Sequence, residues 1–122
     1  MMLLRYKKTY EKIAMGLLSY MPGYKNVKKL QDLIQQYEHS EEWQLFLLKK
    51  DEDFLGLIGI ELNESEYILH HISVNPSFRG EGIGHELVMR VQALYPEKEC
   101  QGTEETTSFL MKCSEKEEGA DQ

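Results

Sequence analysis

The chain has 122 residues, 41% of them hydrophobic and 29% charged, which is the make-up of one ordinary globular domain with a single core. A net charge of -7 leaves no broad basic surface, so nucleic acid is not an expected partner. Cys100 and Cys113 cannot form a disulfide scaffold, and no Cys/His group has metal-ligand spacing, so no metal is expected. No run is apolar for long enough to be a membrane span or a signal peptide, and a cytoplasmic protein with reduced thiols is the expectation.

Met2 to Lys8 predicts a short strand, and Thr9 is placed to cap the helix after it. Tyr10, Ile13, Ala14, Leu17 and Leu18 give that helix an apolar face, which Met21-Pro22-Gly23 ends. A second helix is predicted from about Asn26, its cap, to Tyr37, with Val27, Leu30, Leu33, Ile34 and Tyr37 at helical spacing. Trp43 to Lys49 and Phe54 to Leu62 read as a hairpin across the turn Asp51-Glu52-Asp53. Gly56 and Gly59 mark bulges or close approaches within it.

The most informative stretch is Tyr67 to Leu94, which reads strand, glycine turn, helix. Along the strand, Tyr67 and Leu69 share one parity while Ile72 and Val74 share the other. One extra residue near His70 or His71 restores a continuous apolar face, as a bulge does; a strand buried on both faces is the other explanation. Asn75-Pro76-Ser77 stops the strand, and Arg79-Gly80-Glu81-Gly82-Ile83-Gly84 leads into a helix with Ile83, Leu87, Val88, Val91 and Leu94 on one face. The amino end of a helix has unpaired N–H groups and partial positive charge, the glycines allow close approach, and Arg79 suits a phosphate. A phosphate or pyrophosphate is therefore the expected guest. No Lys-Ser/Thr pair follows the glycines, and their spacing does not fit a dinucleotide turn.

Arg79-x-x-Gly82-x-Gly84 after Ile72-x-Val74-x-Pro76 resembles motif A of the GNAT acetyltransferases. The resemblance implies an α/β (α+β) fold, with a mostly antiparallel mixed sheet flanked by helices. It implies an acetyl-CoA-dependent N-acetyltransferase. In that family the motif's strand, here Ile72, Ser73 and Val74, bonds the pantetheine arm through its backbone. The turn, here Arg79, Gly80, Glu81, Gly82, Ile83 and Gly84, holds the pyrophosphate. Lys98 to Gln101 is expected as a strand beside the central one, and Thr103 to Cys113 as a last helix. Thr103 stands where the family often has an asparagine and is a candidate pantetheine contact. Leu110 stands where a tyrosine often protonates the leaving thiolate. The domain then covers 1–113, with an acidic tail over 114–122. Two strands usual in the family are missing, so an open acceptor side or a homodimer is expected.

Transfer to an amine needs a group that takes the amine's proton. His71 is the first candidate base, beside the expected slot, and Glu66 the second; His70 and Glu61 lie on the same strands or next to them. The plainer reading of each histidine, and of His70 above all, is a sheet residue that only hydrogen-bonds. Tyr20, Tyr24 and Trp43 are candidates to line an acceptor pocket, or core and rim. The acceptor is expected to be a small-molecule or peptide amine, with no membrane partner. The competing readings are a non-catalytic acyl-CoA binder or regulatory subunit, favoured by Leu110 and the missing strands, and a different phosphate-ligand protein such as a nucleotide binder.

Overall fold

A computed structural model describes residues 1–111. Five strands form one sheet in the order β1 (Met2–Arg5), β2 (Trp43–Lys50), β3 (Asp53–Leu62), β4 (Glu66–Val74) and β5 (Glu99–Gly102). The first four are antiparallel to their neighbours, and β5 runs parallel to β4. Helices α1 (Glu11–Leu18) and α2 (Val27–His39) cover one face, and α3 (Ile83–Leu94) covers the other. A further helical turn spans 107–111. Cys113 and the acidic tail expected over 114–122 lie outside the described residues.

The alternation of apolar residues decides which face each helix covers. Leu45, Leu47 and Leu57 point to α1 and α2, where they meet Ala14, Leu17, Leu18, Leu30 and Ile34. Phe46, Leu48, Ile58 and Ile60 point the other way, onto Ile83, Leu87 and Val91 of α3. Asn26 caps α2 as expected, its side-chain oxygen accepting from Lys29 N–H at 3.2 Å. Thr9 does not cap α1. It lies inside the 3₁₀ turn Lys8–Tyr10, so the cap position falls to Tyr10, which makes no side-chain cap bond.

The expected bulge is present, and it falls at His70. In the β3–β4 register Gly59 faces His71 and Ile60 faces Leu69, which leaves His70 unmatched. Tyr67, Leu69, Ile72 and Val74 consequently all belong to the α3-side core, despite their change of parity. His71 and Ser73 turn toward α1 and α2, where Ser73 Oγ donates to the Leu17 carbonyl at 2.5 Å.

Gly59 is a close approach, as expected. A Cβ there would lie 2.0 Å from the Tyr37 hydroxyl oxygen, which crosses Gly59 to reach His71. Gly59→Ala must displace Tyr37, and overpacking of this kind costs roughly 1–3 kcal/mol. Urea unfolding of the variant is expected to show that loss, with the slope of the transition unchanged.

Candidate functional site

The site begins where β4 and β5 part. Their pairing covers only Glu66 to Leu69 on β4 and ends at Gly102. Beyond that point the outer edge of β4 has no partner strand among the described residues. Asn75 N–H bonds the Leu55 carbonyl at 2.9 Å, and hydrogen-bonded pairs alternate with unbonded ones in an antiparallel ladder. Ser73 and His71 therefore spend their main-chain groups on β3. Ile72 and Val74 turn theirs outward, into the opening.

Ser73 is thus corrected as a backbone contact for a ligand: its main chain faces β3 and its hydroxyl is held by Leu17. Thr106, which sequence reasoning missed, closes the inner end of the opening. It is 1% exposed, and its hydroxyl donates to the Leu69 carbonyl at 2.7 Å. Thr103 and Thr106 cap one another: Thr103 N–H donates to Thr106 Oγ1 at 2.8 Å, and Thr106 N–H to Thr103 Oγ1 at 3.3 Å. The Thr-x-x-Thr spacing was the available signal for this pair. Thr103 still lines the cleft, but its hydroxyl is engaged in the cap.

The outer end of the opening leads to the glycine turn. Gly80 has φ +85 and Gly82, the N-cap of α3, has φ +76, the left-handed region that favours glycine. Among the described residues no side chain caps this helix end. Arg79 N–H bonds the Pro76 carbonyl, and the next amide to donate to a carbonyl is that of Glu86, to Gly82 at 3.0 Å. Among the described residues, the amides between Arg79 and Glu86 have no protein acceptor. Arg79, Gly80 and Glu81 are exposed, so a pyrophosphate can reach this end. The residues present fit such a group. Gly84 is explained differently from the expectation. A Cβ there would lie 2.5 Å from Phe109 Cζ, so its bareness admits a protein side chain rather than a ligand. Ile83 is buried in the core and can offer only its amide.

On the α1–α2 side of the opening lie two joined clefts, of about 310 and 460 Å³, both lined by Tyr24, His70 and His71. Thr103 and Glu105 line the first; Trp43, Lys29 and Asp32 line the second. Tyr24 lines both clefts and Trp43 the second, whereas Tyr20 is not among the lining residues. A larger cleft of about 640 Å³, around Tyr6 and Glu38, lies toward β1 at the opposite edge of the sheet.

His71 lies beside the opening, as expected, but both ring nitrogens are taken. Nδ1 is 2.6 Å from the Tyr37 hydroxyl and Nε2 is 3.2 Å from the Tyr24 hydroxyl. The Tyr37 hydroxyl is buried and has no other partner among the described residues, so it donates to Nδ1, and Nε2 carries the ring proton. Burial, with the charges of His70 and Lys29 added, lowers the His71 pKa from 6.5 to about 4. A ring so fixed is a poor acceptor for an amine proton, which corrects His71 as first choice of base. Burial likewise raises the Tyr37 and Tyr24 hydroxyls, with Glu105 adding to the rise at Tyr24. Glu66 is at the other end of β4, opposite Glu99, roughly 17 Å along the strand from His71. It is corrected as the second choice.

The chain belongs to the acetyltransferase (GNAT) family, whose model matches residues 11–108. It is 55% identical over 113 residues to a protein of Bacillus methanolicus described as an uncharacterized N-acetyltransferase in the lysA 3′ region, covering 92% of this chain and 94% of that one. In structure it is similar to the aminoglycoside 6′-N-acetyltransferase AAC(6′)-Ig of Acinetobacter haemolyticus. The TM-score is 0.75 at 12% identity, over 96% of this chain and 88% of the other. It is also similar to AAC(6′)-Iy in complex with CoA, with a TM-score of 0.72 at 18% identity, over 90% and 82% of the two chains. These two likenesses establish the fold.

The His71 environment predicts a pH effect on stability. A histidine held neutral in the fold takes up a proton on unfolding, so the unfolded chain binds more protons between about pH 4 and 6.5. Stability is therefore full above 6.5 and falls as pH drops toward 4, by up to about 3 kcal/mol. Urea unfolding across that range is expected to show the slope, and His71→Gln to remove most of it.

Proposed function

We propose that this acetyltransferase takes its acetyl group from acetyl-CoA and passes it to the nitrogen of a small-molecule amine. The observation that carries the reading is that, among the described residues, the amides between Arg79 and Glu86 have no acceptor and the strand leading to them has an unpaired outer edge. Bound acetyl-CoA supplies an activated thioester carbonyl. The amides from Gly80 to Gly84 and the Arg79 guanidinium hold its pyrophosphate. The outward N–H and C=O groups of Ile72 and Val74 bond the pantetheine arm and can polarise the carbonyl. The amine enters from the α1–α2 side, between Tyr24 and Trp43. An amine acceptor is supported by the aminoglycoside acetyltransferases that share the fold.

The setting we propose is riboflavin metabolism, in the cytoplasm. This rests on the resemblance of Ala14 to Ser19 and of His71 to Ser77 to the RibT protein of the riboflavin operon in Bacillus-type bacteria. Among the described residues no helix is long and apolar enough to cross a membrane. A second reading, acyl-CoA binding without transfer, is favoured by Leu110, which packs on the α3-side core and has no proton to give.

CoA is expected to raise the melting temperature, by the equivalent of about 2.7 kcal/mol at a hundredfold excess over Kd. Gly82→Val puts a branched side chain at φ +76 in the phosphate seat and is expected to abolish binding in calorimetry, with the circular dichroism of the fold retained. Stabilisation by a nucleotide but not by CoA overturns the donor assignment. Release of free thiol with an amine panel separates transfer from binding alone.

A further inference from the structure

We propose that His70 and Glu61 are the pair that removes the proton from the acceptor amine, His70 as the catalytic base and Glu61 as the residue that positions it. The proposal rests on the acetyl-transfer reading above and adds to it the group that makes the amine nucleophilic.

The bulge creates this pair. As the unmatched residue of β4, His70 turns its ring to the same side of the sheet as His71, into the cleft. Trp43 and Glu61 are cross-strand partners in the β2–β3 register, so they reach His70 together. The indole stacks on the imidazole, with ring centroids 4.3 Å apart and planes 17° from parallel. Glu61 Oε1 lies 2.9 Å from His70 Nε2. An ionised carboxylate only accepts hydrogen bonds, so Nε2 carries the ring proton and Nδ1 keeps its lone pair. Among the described residues Nδ1 has no protein partner, and it is not a buried unsatisfied atom, so water or substrate can reach it. A ring held by stacking and by a carboxylate, with one free nitrogen toward a cleft, has the geometry of an oriented general base.

The contrast with His71 assigns the roles. The two rings are 6.1 Å apart and line the same clefts. His71 has its two nitrogens closed by Tyr37 and Tyr24; His70 has one closed and one open. The charged and titratable groups around His70 are Glu61 on β3, His71 on β4, Tyr24 after α1, Lys29, Asp32 and Tyr37 on α2, and Glu104 and Glu105 after β5. Glu61 is the one bonded to it.

The step balances. The amine nitrogen attacks the thioester carbon and a C–N bond forms. The C–S bond breaks, and its electron pair leaves on sulfur. The proton from nitrogen passes to His70 Nδ1, directly or through one water, and is then returned by way of solvent to the sulfur. The products are an amide and a thiol.

His70→Ala is expected to lower kcat on an accepted amine by roughly 10²- to 10⁴-fold, with the calorimetric CoA affinity unchanged. Added imidazole is expected to restore part of the rate, which a merely structural histidine would not allow. Glu61→Gln is expected to lower kcat with little change in KM. A His70→Ala rate within about threefold of the starting protein overturns the proposal. An independent check is the ¹⁵N spectrum of labelled histidine, which reads the tautomer without turnover. A proton on Nε2 of His70 is expected, and a proton on Nδ1 sinks the pair even before an acceptor is known. Failure of the unsubstituted protein to bind CoA or release thiol defeats the parent reading instead.

Discussion

One unmatched residue in β4 governs the site. His70 has no partner in β3, and pairing of β4 with β5 stops at Leu69, the residue before it. Because the side-chain period of a strand is two, one extra residue exchanges the faces of everything that follows. Ile72 and Val74 thereby join the apolar layer under α3, while their main-chain groups turn to the unpaired edge. The same residue brings two imidazoles onto one face. The outward-facing edge of β4 and the polar side of the cleft both arise from this single irregularity.

The polar side is built by satisfying buried groups in sequence. Tyr37 donates to His71, and His71 donates to Tyr24, which lines the cleft toward Glu105. Gly59 leaves room for the first of these bonds, since any Cβ would collide with the Tyr37 hydroxyl. Such a chain is rigid because breaking one link strands a buried donor or acceptor. His71 therefore serves the cleft as a fixed wall, and its neutrality costs stability in acid. His70 keeps the freedom that His71 has lost.

Charge is arranged against the average of the molecule. A chain of net charge -7 repels anions as a whole, so an anionic ligand needs local positive potential. The amino end of α3, with open amides and Arg79 beside it, supplies that potential on the exposed side of the sheet edge. The carboxylates Glu61, Asp32, Glu104 and Glu105 lie around the clefts on the other side, where a cationic amine would arrive. The two ends of the opening thus suit substrates of opposite charge.

The elements, the apolar faces of the helices and the glycine turn were legible in the sequence because each is a local pattern; the bulge was one of two readings of a parity change, and the sheet plan came from the family resemblance. Period two against period 3.6 separates strand from helix, the parity change between Leu69 and Ile72 marks the extra residue, and glycine at positive φ marks the turn. The choice among polar side chains was not legible. Whether His70 or His71 stays open depends on Tyr24, Tyr37 and Glu61, which lie between 9 and 47 residues away in the chain. The reason for Gly84 was hidden for the same cause, since Phe109 reaches it from another helix. Sequence determined where a strand would break its rhythm; only tertiary packing decided which histidine that break would leave free, because hydrogen-bond partners are set by proximity in space.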